Sequence, residues 1–180
     1  MNYQLREITL ADCWMLYDWR NSDRVRSVMI NRDIIERSQH KRWFEGILES
    51  SAHCYYVCQY GDMDVGVINF KLIDKPQEKY DWGFYLGEEC PKGSGTKMCE
   101  LALKQAKILP IRVIATSVQN SNVASIRIHE KLGFTEDKYI VQEYEENKAY
   151  GQIDLAYKAI DKHHLSSGVS FQTTKIIKDK

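Results

Sequence analysis

The chain has 180 residues, 43% of them hydrophobic and 28% charged, with 25 Lys and Arg balancing 25 Asp and Glu. That is enough to bury roughly two-thirds of the unfolded surface in one globular domain without a disulfide or metal. The cancelled charge excludes a sequence-independent nucleic-acid coat, and no apolar run approaches the roughly 18 residues that a membrane span requires.

The start, MNYQLREITL, lacks the basic and apolar stretches of a signal peptide, so the expectation is a cytoplasmic protein without nucleic-acid or membrane partners. The cysteines, Cys13, Cys54, Cys58, Cys90 and Cys99, are odd in number and contain no CxxC pair. They read as reduced thiols, with no disulfide framework and no metal site.

Residues 3 to 9 alternate like a strand, and Thr9 or Asp12 is placed to cap a helix running through Leu16 and Trp19. The following stretch to residue 50 reads as helical in two pieces. Ser38 is the expected N-cap of the second, with Trp43, Phe44, Ile47 and Leu48 on one face. The period then changes to two. Residues 53 to 60 and 64 to 72, joined at Gly61-Asp62, read as a hairpin, and 80 to 87 as a third strand.

That strand runs into EECPKGSGT and a helix carrying Met98, Leu101, Ala102 and Ala106 on one stripe. Pro110 closes this helix, 111 to 118 is a strand, and 119 to 133 is a capped helix ending at a glycine. DKYIVQEYEE and YGQIDLAYKAI alternate as a second hairpin, and 161 to 180 reads as a tail of uncertain order. The fold class expected is α+β, a single domain over residues 1 to 160 with a mixed, mostly antiparallel sheet flanked by helices.

Two segments carry chemistry. Gly93-Ser94-Gly95-Thr96 lies between a strand and a helix start, where glycines let the backbone approach a ligand and free N–H groups suit a pyrophosphate. An ordinary loop would read the same way. The third glycine of a dinucleotide fingerprint and the spacing of a phosphate loop are both missing.

The second segment, Asn122-Val123-Ala124-Ser125-Ile126-Arg127-Ile128-His129-Glu130-Lys131-Leu132-Gly133-Phe134, resembles the stretch that closes the acyl-CoA site in GCN5-related N-acetyltransferases. With the KGSGT turn one supersecondary unit upstream, the likeness covers residues 3 to 160. It implies an acetyl-CoA-dependent enzyme in which the strands at 80 to 87 and 111 to 118 splay apart and the pantetheine pairs with the exposed strand backbone. It also implies pyrophosphate on Gly93, Gly95 and Thr96 beside Ser94, and cofactor contacts from Asn122 and Ser125. An amide near Tyr85 or Leu86 would polarise the thioester carbonyl.

The family's usual proton donor is a Tyr, and His129 stands at that position as a candidate acid; packing beside the cofactor is the alternative. Cys90 stands where relatives carry Arg or Gln, which leaves Lys92 as the cation near phosphate. Asp81, beside Trp82, is the candidate base, or else a solvated strand-end charge.

For the acceptor, Trp19-Arg20-Asn21-Ser22, Val25-Arg26, Met29 and Ser38-Gln39-His40 resemble the subgroup of sugar-nucleotide acetyltransferases of the pseudaminic acid pathway. These act on the 4-amino group of UDP-4-amino-4,6-dideoxy-N-acetyl-beta-L-altrosamine, a precursor used to glycosylate flagellin. The resemblance implies that Arg20 and His40 meet the UDP phosphates and that Asn69 and Tyr85 border the sugar or nucleotide. Arg20 could instead pair with Asp18 or Asp23, and His40 could simply start a helix. The likeness allows a homodimer. Two other readings are open: an N-terminal acetyltransferase of a ribosomal or other protein, favoured by an acidic groove, and a non-catalytic acyl-CoA-binding module.

Overall fold

The computed structural model describes residues 2–119, 121–147, 152–159 and 169–176. Two compact units are distinguished, the first running to Ile114 and the second from Ala115 to Lys175.

The first unit is built on strands β1 (Tyr3–Glu7), β2 (His53–Tyr60), β3 (Met63–Asp74) and β4 (Lys79–Leu86), adjacent in that order and antiparallel throughout. β5 (Val113–Gln119) joins β4 in parallel through Lys79↔Val113 and Tyr80↔Ile114, which makes the sheet mixed. The ladder reaches no further along β4 among the described residues.

Side chains alternate across this sheet. Tyr55, Asn69 and Gly83 are opposite one another, as are Val57, Val67 and Tyr85, so with Asp81 they occupy one face. That face packs on helices α1 (Cys13–Asn21) and α3 (Arg37–Glu49), in a core of Cys13, Leu16, Phe44, Ile47 and Val67. The other face carries Tyr56, Ile68, Phe70 and Trp82, all buried. Helix α4 (Ser94–Ala106) covers it, with Met98, Cys99, Ala102 and Ala106 buried. Each fully buried Leu or Phe in these layers contributes about 1.5–3 kcal/mol.

The start of α1 is fixed by charge. Thr9 donates to Asp12 from its N–H (2.7 Å) and hydroxyl (3.1 Å), and the Arg6 fork grips both Asp12 oxygens at 2.7 and 2.8 Å and Asp64 at 2.9 Å. Arg6 therefore holds the Asp12 carboxyl below its ordinary range. A short helix α2 (Asp23–Arg26) follows, capped by Ser22. The expected cap of α3 is two residues off: Glu36 is the N-cap, its carbonyl accepts the His40 N–H at 2.9 Å, and Ser38 lies inside the first turn. The buried stripe is accordingly His40, Phe44 and Ile47, while Trp43 and Leu48 sit at the rim.

In the second unit, α5 (Val123–Lys131) is capped by Asn122 and followed by Gly133 at φ +72°, the left-handed position that favours glycine. β6 (Thr135–Asn147) and β7 (Gln152–Ala159) form the expected hairpin. The segment expected to be a tail instead carries β8 (Val169–Ile176), antiparallel to β6. Its short apolar–polar alternation follows a polar stretch, which masks the strand signal in the sequence. No helix among the described residues is long and apolar enough to cross a membrane.

Candidate active site

The turn before α4 can be accounted for donor by donor. A helix leaves its first N–H groups without internal acceptors. Here Ser94 N–H goes to Pro91 O at 3.1 Å and Lys97 N–H to Gly93 O at 3.1 Å. The N–H groups of Gly95 and Thr96 have no acceptor among the described residues. Gly93 sits at φ +92° with open space where a Cβ would be. The result is a left-handed turn presenting two adjacent donors at a positive helix end, an arrangement suited to a phosphate oxygen. Lys92 beside it is exposed.

β4 supplies a further donor. The Gly87 N–H enters the β3 ladder at Val65 O (2.9 Å), and strand alternation sends the Leu86 N–H to the opposite edge. Tyr85 is paired with Val67 and its backbone faces β3. Of the two amides, only that of Leu86 is directed away from β3. Its carbonyl accepts from Arg24 at 2.7 Å, and Arg24 also donates to Gly87 O. The Trp19 indole lies so close over Gly87 that a Cβ there would meet it at 2.6 Å.

On the α1 face, Asp81, Asn69 and Tyr85 share one side of the sheet. Gly83 leaves a gap in that row, since a Cβ would approach Asn69 Oδ1 to 3.0 Å. Tyr55, unnoticed in the sequence, completes the surface. Burial and the Asp81 carboxylate push its hydroxyl up to about 12, and burial drives Tyr85 higher still, so both are neutral donors. The signal for Tyr55 was available in principle: it is the residue opposite Asn69, which only the register of the hairpin reveals.

Arg20, at the end of α1, is half-buried. Its Nη2 donates to Asn31 O at 2.8 Å, while Nη1 is buried and has no partner among the described residues. Arg26 Nε is likewise buried and unpartnered. Arg20 pairs with neither Asp18 nor Asp23; Asp23 lies 3.7 Å from Arg26. Burial pulls the Arg20 guanidinium below its ordinary value, with Tyr85 opposing and Arg26 adding, although an arginine remains charged. Two guanidinium N–H groups left unsatisfied indoors is costly. An anionic ligand would remove that cost.

His40 does not fit the phosphate role given to it. Its Nε2 lies 2.8 Å from Cys13 O, and since a carbonyl only accepts, Nε2 carries the proton. The ring is enclosed by Trp14, Tyr17, Trp43 and Phe44, and burial lowers its pKa, leaving a neutral imidazole with no further N–H to offer.

In the second unit, Asn122 Oδ1 accepts the Ser125 N–H at 3.1 Å. His129 Nδ1 lies 2.7 Å from Ser125 O and so bears the proton, and the ring packs edge-on to Phe134 at 4.8 Å. Burial lowers the His129 pKa, partly offset by that hydrogen bond. A neutral imidazole at neutral pH is better placed to take a proton than to give one. Among the described residues there is no cluster of His, Cys, Asp and Glu that could hold a metal.

The sequence matches no curated protein. Among solved structures, spermidine N-acetyltransferase from Vibrio cholerae, in complex with CoA and spermine, aligns with a TM-score of 0.76 and 14% identity over 97% of this chain and 95% of that one. A putative acetyltransferase from Salmonella typhimurium with acetyl-CoA gives 0.68 and 17% over 99% and 95%. An aminoglycoside acetyltransferase in complex with coenzyme A gives 0.71 and 16% over 97% and 95%. These likenesses show a shared fold. The family model described as an acetyltransferase (GNAT) domain matches residues 3–135, and the chain accordingly belongs to the GNAT family of acetyl-CoA-dependent N-acetyltransferases.

Proposed function

We propose that the acceptor is a nucleotide-linked amino sugar and that the protein transfers acetyl to the 4-amino group of UDP-4-amino-4,6-dideoxy-N-acetyl-beta-L-altrosamine, in cytoplasmic pseudaminic acid biosynthesis. The observation that carries this reading is a pair of buried guanidinium nitrogens without a partner among the described residues, Arg20 Nη1 and Arg26 Nε. Arg20 lies at the end of α1, which packs on the face that holds Asn69, Asp81 and Tyr85, and Arg26 at the end of the short α2 that follows. A diphosphate supplies the charge and the acceptor atoms they lack. Spermine, bound in one of the similar structures, is a polycation; it would be repelled by this pair. A basic peptide terminus would be disfavoured for the same reason.

In this reading the acetyl-CoA diphosphate rests on the N–H groups of Gly95 and Thr96 with Lys92 nearby, and the resemblance assigns cofactor contacts to Asn122 and Ser125. The Leu86 N–H polarises the thioester carbonyl. Asp81 takes the proton of the sugar ammonium, directly or through water, and the free amine attacks. The new C–N bond forms, the C–S bond breaks, the acylated nitrogen sheds its second proton, and the departing thiolate takes one up, so the protons balance. His129 supplies that proton only in its charged form, which its burial opposes.

The test is thiol release from acetyl-CoA with the UDP-amino sugar as acceptor, beside spermidine and an aminoglycoside. Release that depends on the nucleotide sugar supports the reading. Equal or greater turnover of the polyamine or aminoglycoside overturns it.

A further inference from the structure

The donor turn before α4 is held by a strand far from it in sequence. Tyr3, on the edge strand β1, places its hydroxyl 2.9 Å from Ser94 Oγ. Ser94 is fully buried, and its Oγ lies 2.7 Å from Pro91 O, the carbonyl that also receives its N–H at 3.1 Å. A serine hydroxyl has one proton, and Pro91 O can only accept, so that proton is spent on Pro91. The proton in the Tyr3–Ser94 contact therefore comes from Tyr3. The Tyr3 ring is itself fixed against Tyr60, its cross-strand partner, with centroids 4.8 Å apart.

We propose that Tyr3 is a positioning residue for the diphosphate of the acyl carrier. By donating to Ser94 it locks the Pro91–Ser94 turn, and with it the aim of the Gly95 and Thr96 N–H groups. This rests on the reading that places the diphosphate on that turn. The ligand class it serves is a diphosphate-bearing acyl thioester; an S-acyl-pantetheine ends before the turn and draws nothing from Tyr3. A turn left free to rock would dilute the binding-competent arrangement, which weakens apparent affinity without touching the reacting atoms.

The experiment compares Tyr3→Phe with the unmodified protein, using CoA affinity by calorimetry and turnover of acetyl-CoA and S-acetyl-pantetheine. Loss of one neutral hydrogen bond predicts about a 3- to 10-fold weaker CoA affinity and a matching rise in KM for acetyl-CoA. The kcat, the acceptor KM and the turnover of S-acetyl-pantetheine stay within about twofold. Ser94→Ala removes the Tyr3 link together with the Ser94 hydroxyl bond to Pro91 O, so its loss of CoA affinity is at least as large as that of Tyr3→Phe. Unchanged CoA affinity in Tyr3→Phe, or an equal loss with both carriers, overturns the proposal. Gly95→Trp separates the two layers of the argument. If it leaves CoA binding intact, the placement of the diphosphate falls and this inference with it. If it blocks binding while Tyr3→Phe is silent, only the role of Tyr3 falls.

Discussion

Replacing Arg20 tests the acceptor site most directly. Arg20 Nη2 is committed to Asn31 O, so Nη1 is the group left for a ligand. A hydrogen bond between charged groups contributes about 1.5–3 kcal/mol, roughly a 10- to 150-fold change in affinity. Arg20→Met is therefore expected to raise the KM for the UDP-amino sugar by that factor, with the KM for acetyl-CoA within about twofold. Arg20→Lys keeps the charge but loses the fork that serves Asn31 and the ligand together, so it should fall between the two. The free protein should lose at most about 1 kcal/mol in Arg20→Met, because only the Asn31 bond disappears and a half-buried cation is relieved. Initial-rate kinetics with each substrate varied in turn, beside a urea titration, measure all of this. Equal effects on both KM values, or an acceptor KM that does not move, would refute the assignment.

Other positions test the frame around the site. In Gly66→Ala the new Cβ would lie 2.9 Å from Tyr85 O, 3.0 Å from Leu86 Cδ2 and 3.1 Å from Met98 Sδ. Overpacking against a backbone oxygen should cost about 2–3 kcal/mol in urea; a neutral result contradicts the packing of β3 on β4. Asp12→Asn breaks the Arg6 fork, and because Arg6 is 30% exposed the loss should be about 2 kcal/mol, below the 3–5 of a fully buried pair. Acid should weaken the protein in the histidine range. His40 and His129 have pKa values lowered chiefly by burial, so their contribution is intact above the unfolded value of about 6.5 and declines as pH falls from there toward the lower folded values. A melting temperature that is flat from pH 7 to 5 in the wild type would count against their burial. For His129→Phe, a kcat that keeps most of its size and the same pH dependence would show that the ring packs beside the cofactor and moves no proton.

The sequence revealed the layer order well because its periods are clean. The change from a three-to-four to a two-residue repeat at residue 53, the Gly61-Asp62 turn and the glycines before α4 are local signals, and each element they announce is present. What local signals miss is partnership across the sheet. Tyr55 gains its place only through its register opposite Asn69, and Tyr3 only through a bond spanning 91 residues. The orphaned donors of Arg20 and Arg26 are equally invisible in one dimension, since a surface ion pair with Asp18 or Asp23 reads the same. The place of His40 is hidden for a related reason: a histidine near a helix start looks available in sequence, whereas in the fold the carbonyl of Cys13 claims its proton. β8 was overlooked because a polar lead-in outweighed a short alternating segment.

The indole stacked over Gly87, with the Arg24 guanidinium clasping the last two carbonyls beside it, turns Trp19 into a built-in optical gauge. Any shift of the strand end on carrier docking must change the polarity and quenching around that ring. In a variant whose other tryptophans, Trp14, Trp43 and Trp82, are replaced by Phe, its emission should therefore follow occupancy in real time and without a label, and the transient read from it would show whether the acceptor arrives before or after the thioester.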